Sequence, residues 1–248
     1  MNDRGPVTAL MPEFGPCYAE EIARLAGNAA SEGERDFRGQ RLAEYVMVLV
    51  LAGVMPPSLL QQFLQRAPAG LRRQAIWFLG NQVSLPAKDM PDEMRRRGQA
   101  YWEMRLAAAT GSSNPDDYGW ELGVIDHWCY HGMLDELWLA DQLLGMLAIG
   151  LVPTNGYHTI EWLAKLTVSH VDSAVEVLLG LVQHADKSRW IYVTNQTPIR
   201  IILSEGRDRG SQETAGRVSR IVSHLASLGD PSYLDLDLPR SDTNRPRD

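Results

Sequence analysis

Between Ile125 and Trp138 the chain reads IDHWCYHGMLDELW, which sets Asp126, His127, Cys129, His131, Asp135 and Glu136 within eleven positions. These residue types hold transition metals through imidazole nitrogen, thiolate sulfur and carboxylate oxygen. His127 and His131 stand four apart, so on a helix they share a face and can share an ion. Cys129 is two residues from each and turns to nearly the opposite face, so the three do not meet at one metal on a regular helix. Every member also has a structural role. Gly132 ends the helix after His131, and a histidine in a last turn complements the helix dipole. Asp135 fits as N-cap of the next helix, with Glu136 in its first turn. The spacing predicts a helix–loop–helix corner. A His127–His131 metal pair completed by a distant acid, and with it an enzyme, is a competing reading.

The remaining chemistry is sparse. His158 precedes a helix, His170 separates two, and His184 and His224 lie near helix ends. No HExxH, no nucleophile elbow, no phosphate-binding loop and no dinucleotide fingerprint occurs. No cofactor, no metal and no catalytic residue is predicted, and the expected protein is not an enzyme.

Charge is more informative. The chain carries −7 overall, but residues 61–110 hold eight basic residues against four acidic ones, and 111–186 hold eleven acidic residues against Lys165 alone. Arg72 and Arg73 open one helix, Arg95, Arg96 and Arg97 ride on the next, and Arg105 follows further along it. Such a cluster attracts phosphates, and Tyr101 and Trp102 could stack on bases. Yet Met94, Gly98, Trp102, Leu106 and Ala109 form the apolar face of that helix, which assigns Trp102 to the core. Nucleic-acid contact through 66–105 is therefore the second reading. The acidic block, with Asp116, Asp117, Asp135 and Glu136, repels nucleic acid and suits a basic or amphipathic protein partner.

Apolar residues recur at helical spacing nearly throughout. Val171, Ala174, Val175, Leu178, Val182 and Ala185 make one stripe; Val218, Ile221, Val222, Leu225 and Leu228 make another. Asn114-Pro115, Pro91 with Asp92 and Glu93, and Thr197-Pro198 mark starts, whereas Gly53, Gly80, Gly132, Gly150, Gly206 and Gly229 mark stops. The result is a helix near 17–30 and then five pairs: 39–55 with 57–66, 70–84 with 91–110, 115–131 with 135–150, 157–169 with 171–186, and 197–206 with 211–228. Pair starts fall mostly 30 to 45 residues apart, the period of an α-solenoid. The predicted fold is all-α, a solenoid of about five HEAT-like pairs, with a compact irregular bundle as alternative. Residues 1–38 form an N-terminal segment, 39–238 the repeat domain, and 239–248 a solvated tail. The two cysteines, Cys17 and Cys129, have no disulfide-type density. The longest apolar runs, at 45–55 and 143–152, are about half the roughly 20 residues that span a bilayer. No leader-type apolar run opens the chain, so a cytoplasmic protein that meets no membrane is expected.

The stretches HWCYHGMLDELWLADQLLGML, EWLAKL…AVEVLLGLV, IRIIL and LASLGDPSYLDL, over roughly 126–236, resemble the C-terminal helical-repeat segment of large bacterial antiviral defence proteins of the STAND-like NTPase and Sir2-like kinds. The resemblance lies in packing residues. It implies a bacterial recognition module. No effector or NTPase domain is present in this stretch, which leaves two readings: a fragment or split product of a larger protein, or a module that acts through a separate NTPase or effector protein.

Overall fold

A computed structural model of the protein describes residues 37–86, 88–129, 133–184 and 195–236. The expected helix near 17–30 and the tail 239–248 lie outside them. Among the described residues every regular element is helical. The chain divides into two compact units, residues 1–159 and 160–248.

In the first unit, α1 (Phe37–Ala52) is apolar on several sides because it is covered on several sides: Ala43, Val46, Met47, Leu49 and Leu51 are buried. Gly53, at φ 74°, ends it in the left-handed conformation that favours glycine. Pro57 starts α2 (Pro57–Arg66), whose buried position is Phe63. Helix α3 (Ala69–Val83) is the hub, burying Ala75, Ile76, Phe78, Leu79 and Val83, and α1 packs along it. Asp92 and Glu93 sit in the first turn of α4 (Asp92–Thr110), where carboxylates oppose the helix dipole. Helix α4 packs on α1, on α3 and on α7 (Glu136–Ala148), so each pair lies against the next in sequence.

The segment 115–129 departs from the expected single helix. It runs as a 3₁₀ turn at Pro115–Tyr118, α5 (Gly119–Leu122), a second 3₁₀ turn at Gly123–Ile125, and α6 (Asp126–Cys129). The physical cause is a contact from a distant part of the sequence. The Gly123 carbonyl, which an α-helix would pair with His127 N–H, instead accepts the Thr154 backbone N–H at 2.6 Å. The returning loop after α7 thus occupies the hydrogen-bonding slot that would have continued the helix.

In the second unit, the helix beginning at Tyr157, α8 (Tyr157–Gln183), is broken by the non-helical backbone of His170 (φ −139°, ψ 62°), as the separation of 157–169 from 171–186 implies. Two further helices, α9 (Gln196–Arg209) and α10 (Gln212–Ser227), pack as a pair, and a 3₁₀ turn at Leu234–Leu236 lies against both. Asp172 ties α8 to α10: its Oδ1 accepts from Ser211 N–H at 3.0 Å and from the Thr214 hydroxyl at 2.5 Å. Those bonds hold its carboxyl below the usual carboxylate range. Ser211 itself caps α10. By length and composition α8 could cross a membrane; its residues Ala174, Val175, Leu178 and Val182 are buried in the fold.

Gly80 and Gly206 are not stops. Both lie within helices, where a Cβ on Gly80 would stand 2.5 Å from the Trp128 indole and one on Gly206 2.5 Å from Val175. They are close-approach residues.

Candidate functional site: the groove between α2 and α4

The Asp126 corner does not assemble a metal centre from the described residues, among which no group of three or more His, Cys, Asp or Glu is placed to hold an ion. His131 and Gly132 lie outside them. His127 Nε2 is 4.0 Å from Asp126 Oδ1, and its ring meets Trp77 and His158 edge-on at 5.7 and 6.5 Å. Asp126 is 1% exposed and its Oδ2 has no hydrogen-bond partner. Burial pushes its carboxyl pKa up, against the pull of His127 and His158. Burial also lowers His127, opposed by Asp126 and reinforced by His158 and Arg73. Cys129 is a packed thiol beside the Ile125 carbonyl (3.6 Å) and the Thr159 hydroxyl (3.9 Å), and burial raises its pKa far from thiolate formation. Asp135 caps α7, accepting from Trp138 N–H at 2.7 Å, and Glu136 occupies the first turn, as their spacing predicts.

The arginines behave differently from a phosphate-binding face. Arg95 donates to the carbonyls of Val83, Leu85 and Met90, closing the C-terminal end of α3. Arg97 does the same at α1, donating to the Leu51 carbonyl at 2.9 Å, and also pairs with Glu93. Arg96, on the solvent face, pairs with Glu93 at 2.9 Å. The Arg73 guanidinium lies 4.3 Å over the exposed Trp120 ring. Tyr101 and Trp102 are both buried, which removes the proposed base-stacking pair.

Arg72 and Arg105 meet on Glu121. Arg105 donates to its Oε1 at 2.5 Å and Oε2 at 3.0 Å, and Arg72 Nε donates to Oε2 at 2.8 Å. Glu121 is fully buried and Arg105 is 7% exposed. Burial alone would lower the Arg105 pKa, but the Glu121 hydrogen bonds and charge more than offset it and the net shift is upward. Arg72 is further fixed by the Ala67 carbonyl at 2.6 Å, and the Arg105 guanidinium lies 5.2 Å over the Tyr118 ring. Burial pushes the Tyr101 phenol well above its ordinary value, and the Glu121 charge adds to it. Arg105 thus belongs to the buried face of α4 with Gly98, Tyr101, Trp102 and Ala109, not to a basic surface. The sequence held that signal: 98, 101/102, 105 and 109 follow helical spacing, but Leu106 fits the same stripe and is the more natural core residue. Glu121 was hidden more deeply, as a carboxylate in the apolar run GWELGVI with no capping slot.

Arg72, Arg105 and Tyr118 line a groove of about 730 Å³ between α2 and α4. Helix α2 contributes Pro57, Leu60, Gln61, Leu64 and Gln65, which share one face by their spacing. Helix α4 contributes Met104, Arg105 and Ala108, and Arg72 and Tyr118 close the end. Met104 is 39% exposed, a large apolar side chain open to the groove. Asp117 stands at the rim, exposed, with Asn114 Nδ2 donating to it at 2.9 Å. Asp116 is exposed beside it. Of the acidic block, Glu121 and Asp126 are withdrawn into the interior. No family model, no curated protein and no solved structure matches the chain.

Proposed function

We propose that this chain is a non-enzymatic protein-interaction module that holds a segment of a partner protein in the α2/α4 groove. The observation that carries the reading is the groove itself: two helices present facing aliphatic side chains, Leu60 and Leu64 opposite Met104 and Ala108, over a fixed charged end. A volume of about 730 Å³ lies within the range of sites that enclose a ligand or an anchor segment. Binding modules need shape and a few oriented polar groups rather than a catalytic set. The packing of each helix pair on the next in the first unit supports a HEAT-like repeat, the architecture that offers extended surfaces to partners. In the defence families that the sequence resembles, such repeats belong to the same large protein as an NTPase or Sir2-like domain, and the partner proposed here is a separate protein of that NTPase or effector class.

The test compares two proteins purified from the cells that encode them, the natural chain and Leu64→Arg. A stoichiometric companion retained by the first and lost by the second, at equal thermal stability, is the expected result. A companion unaffected by Leu64→Arg, or none with either protein, contradicts the reading.

A further inference from the structure

The groove's charged end is unbalanced. Two guanidinium groups, Arg72 and Arg105, share the single carboxylate of Glu121. Arg105 directs Nε and Nη2 at that carboxylate, and Arg72 directs Nε at it and Nη1 at the Ala67 carbonyl. These bonds leave Arg72 Nη2 and Arg105 Nη1 as further donors, and both residues line the groove. A surplus cation at a half-buried wall is screened less by salt than one on an open surface. Among the residues lining the groove the one carboxylate is Asp117, which is solvent-exposed and accepts from Asn114 Nδ2 at 2.9 Å.

We infer that the groove reads a carboxylate: it takes an amphipathic helical segment of a partner protein, whose aliphatic side chains lie on Leu60, Leu64 and Met104 and whose Asp or Glu docks on Arg72 and Arg105. This rests on the groove being the interaction surface proposed above. Three features fix the chemistry. The guanidinium fork suits the planar oxygens of a carboxylate, and the Glu121 bonds hold both forks in place, so little side-chain freedom is lost on binding. The α2 face from Pro57 to Gln65 is about 12 Å long at 1.5 Å per residue, which matches two turns of a docked helix. One surplus charge is too few for a polyphosphate strand, whose binding requires several neutralised phosphates.

Selection from a random twelve-residue peptide display library on the natural protein tests this. The enriched peptides are expected to carry one Asp or Glu flanked at helical spacing by Leu, Ile, Met or Phe. Affinity of the synthetic consensus should fall at least tenfold when its acid becomes the amide. It should fall equally in Arg72→Gln, which keeps the Arg105–Glu121 pair and whose fold is checked by thermal unfolding. Basic or uncharged consensus peptides, unchanged affinity in Arg72→Gln, or no enrichment overturns the inference. Uncharged peptides that Leu64→Arg nevertheless displaces would refute carboxylate reading while leaving the groove as docking surface. Peptides indifferent to Leu64→Arg would remove both.

Discussion

Asp126 is the residue with the most direct physical consequence. Its folded-state pKa lies above its unfolded value, so the native state favours the protonated carboxyl. Native stability is therefore unpenalised below the unfolded value of about 3.9 and declines as pH rises through the folded value. Asp126→Asn removes the charge and should raise stability at pH 7 by on the order of 1 kcal/mol, with the gap closing towards pH 4. Thermal unfolding at the two pH values measures this, and equal melting temperatures at pH 7 would count against the burial argument. Gly80 gives the opposite sign. Its missing Cβ is where the Trp128 indole rests, with Cδ1 at 2.5 Å, and Trp128 is fully buried against Trp102 at 5.1 Å between rings. Gly80→Ala should therefore cost about 1–3 kcal/mol through overpacking, although alanine is the better helix former. A stabilised Gly80→Ala protein would show that the indole shifts freely.

At the scale of elements, the Arg72–Glu121–Arg105 cluster joins α3, α4 and α5. Glu121→Gln leaves two guanidinium groups facing a neutral amide inside the fold and should destabilise by roughly 3–5 kcal/mol, read as a shift in urea midpoint. A shift under 1 kcal/mol would mean that water enters the cluster. This cluster also shows where sequence reading ends. Helix bounds were legible because apolar stripes, prolines and first-turn acids are local signals: Pro91 with Asp92 and Glu93, and Asp135, stand where they predict. The broken run at 115–129 was not legible, since it depends on the Thr154 N–H reaching the Gly123 carbonyl from a loop thirty residues on. Likewise an arginine at a helix surface spacing looks the same whether it meets solvent, a carbonyl at a helix end, as Arg95 and Arg97 do, or a buried carboxylate. Those outcomes are decided by long-range pairing, which is why the shared Glu121 partner of Arg72 and Arg105 could not be read from the basic cluster in the sequence. Gly80 and Gly206 mislead similarly: a stop and a close approach both require glycine.

For the whole molecule, the proposed solenoid implies a radius of gyration well above the roughly 18 Å expected of a compact chain of 248 residues, and small-angle scattering at the compact value would favour a closed bundle. That result would remove the support drawn from an extended repeat surface, whereas the proposed groove, which lies within the first unit, would stand on its own lining. Most of the charge that a basic face would need is engaged in the fold, and the exposed apolar side chain on α4, Met104, opens into the groove instead. The measurement that reaches the claim most directly is site-specific photo-crosslinking in the cells that encode the protein. A photoreactive amino acid at Gln61 or Met104, facing the groove, should join the chain to one discrete protein, whereas the same group at the exposed Ser223 of α10 should not. Crosslinks of equal pattern from Ser223, or none from either groove position, would contradict the account.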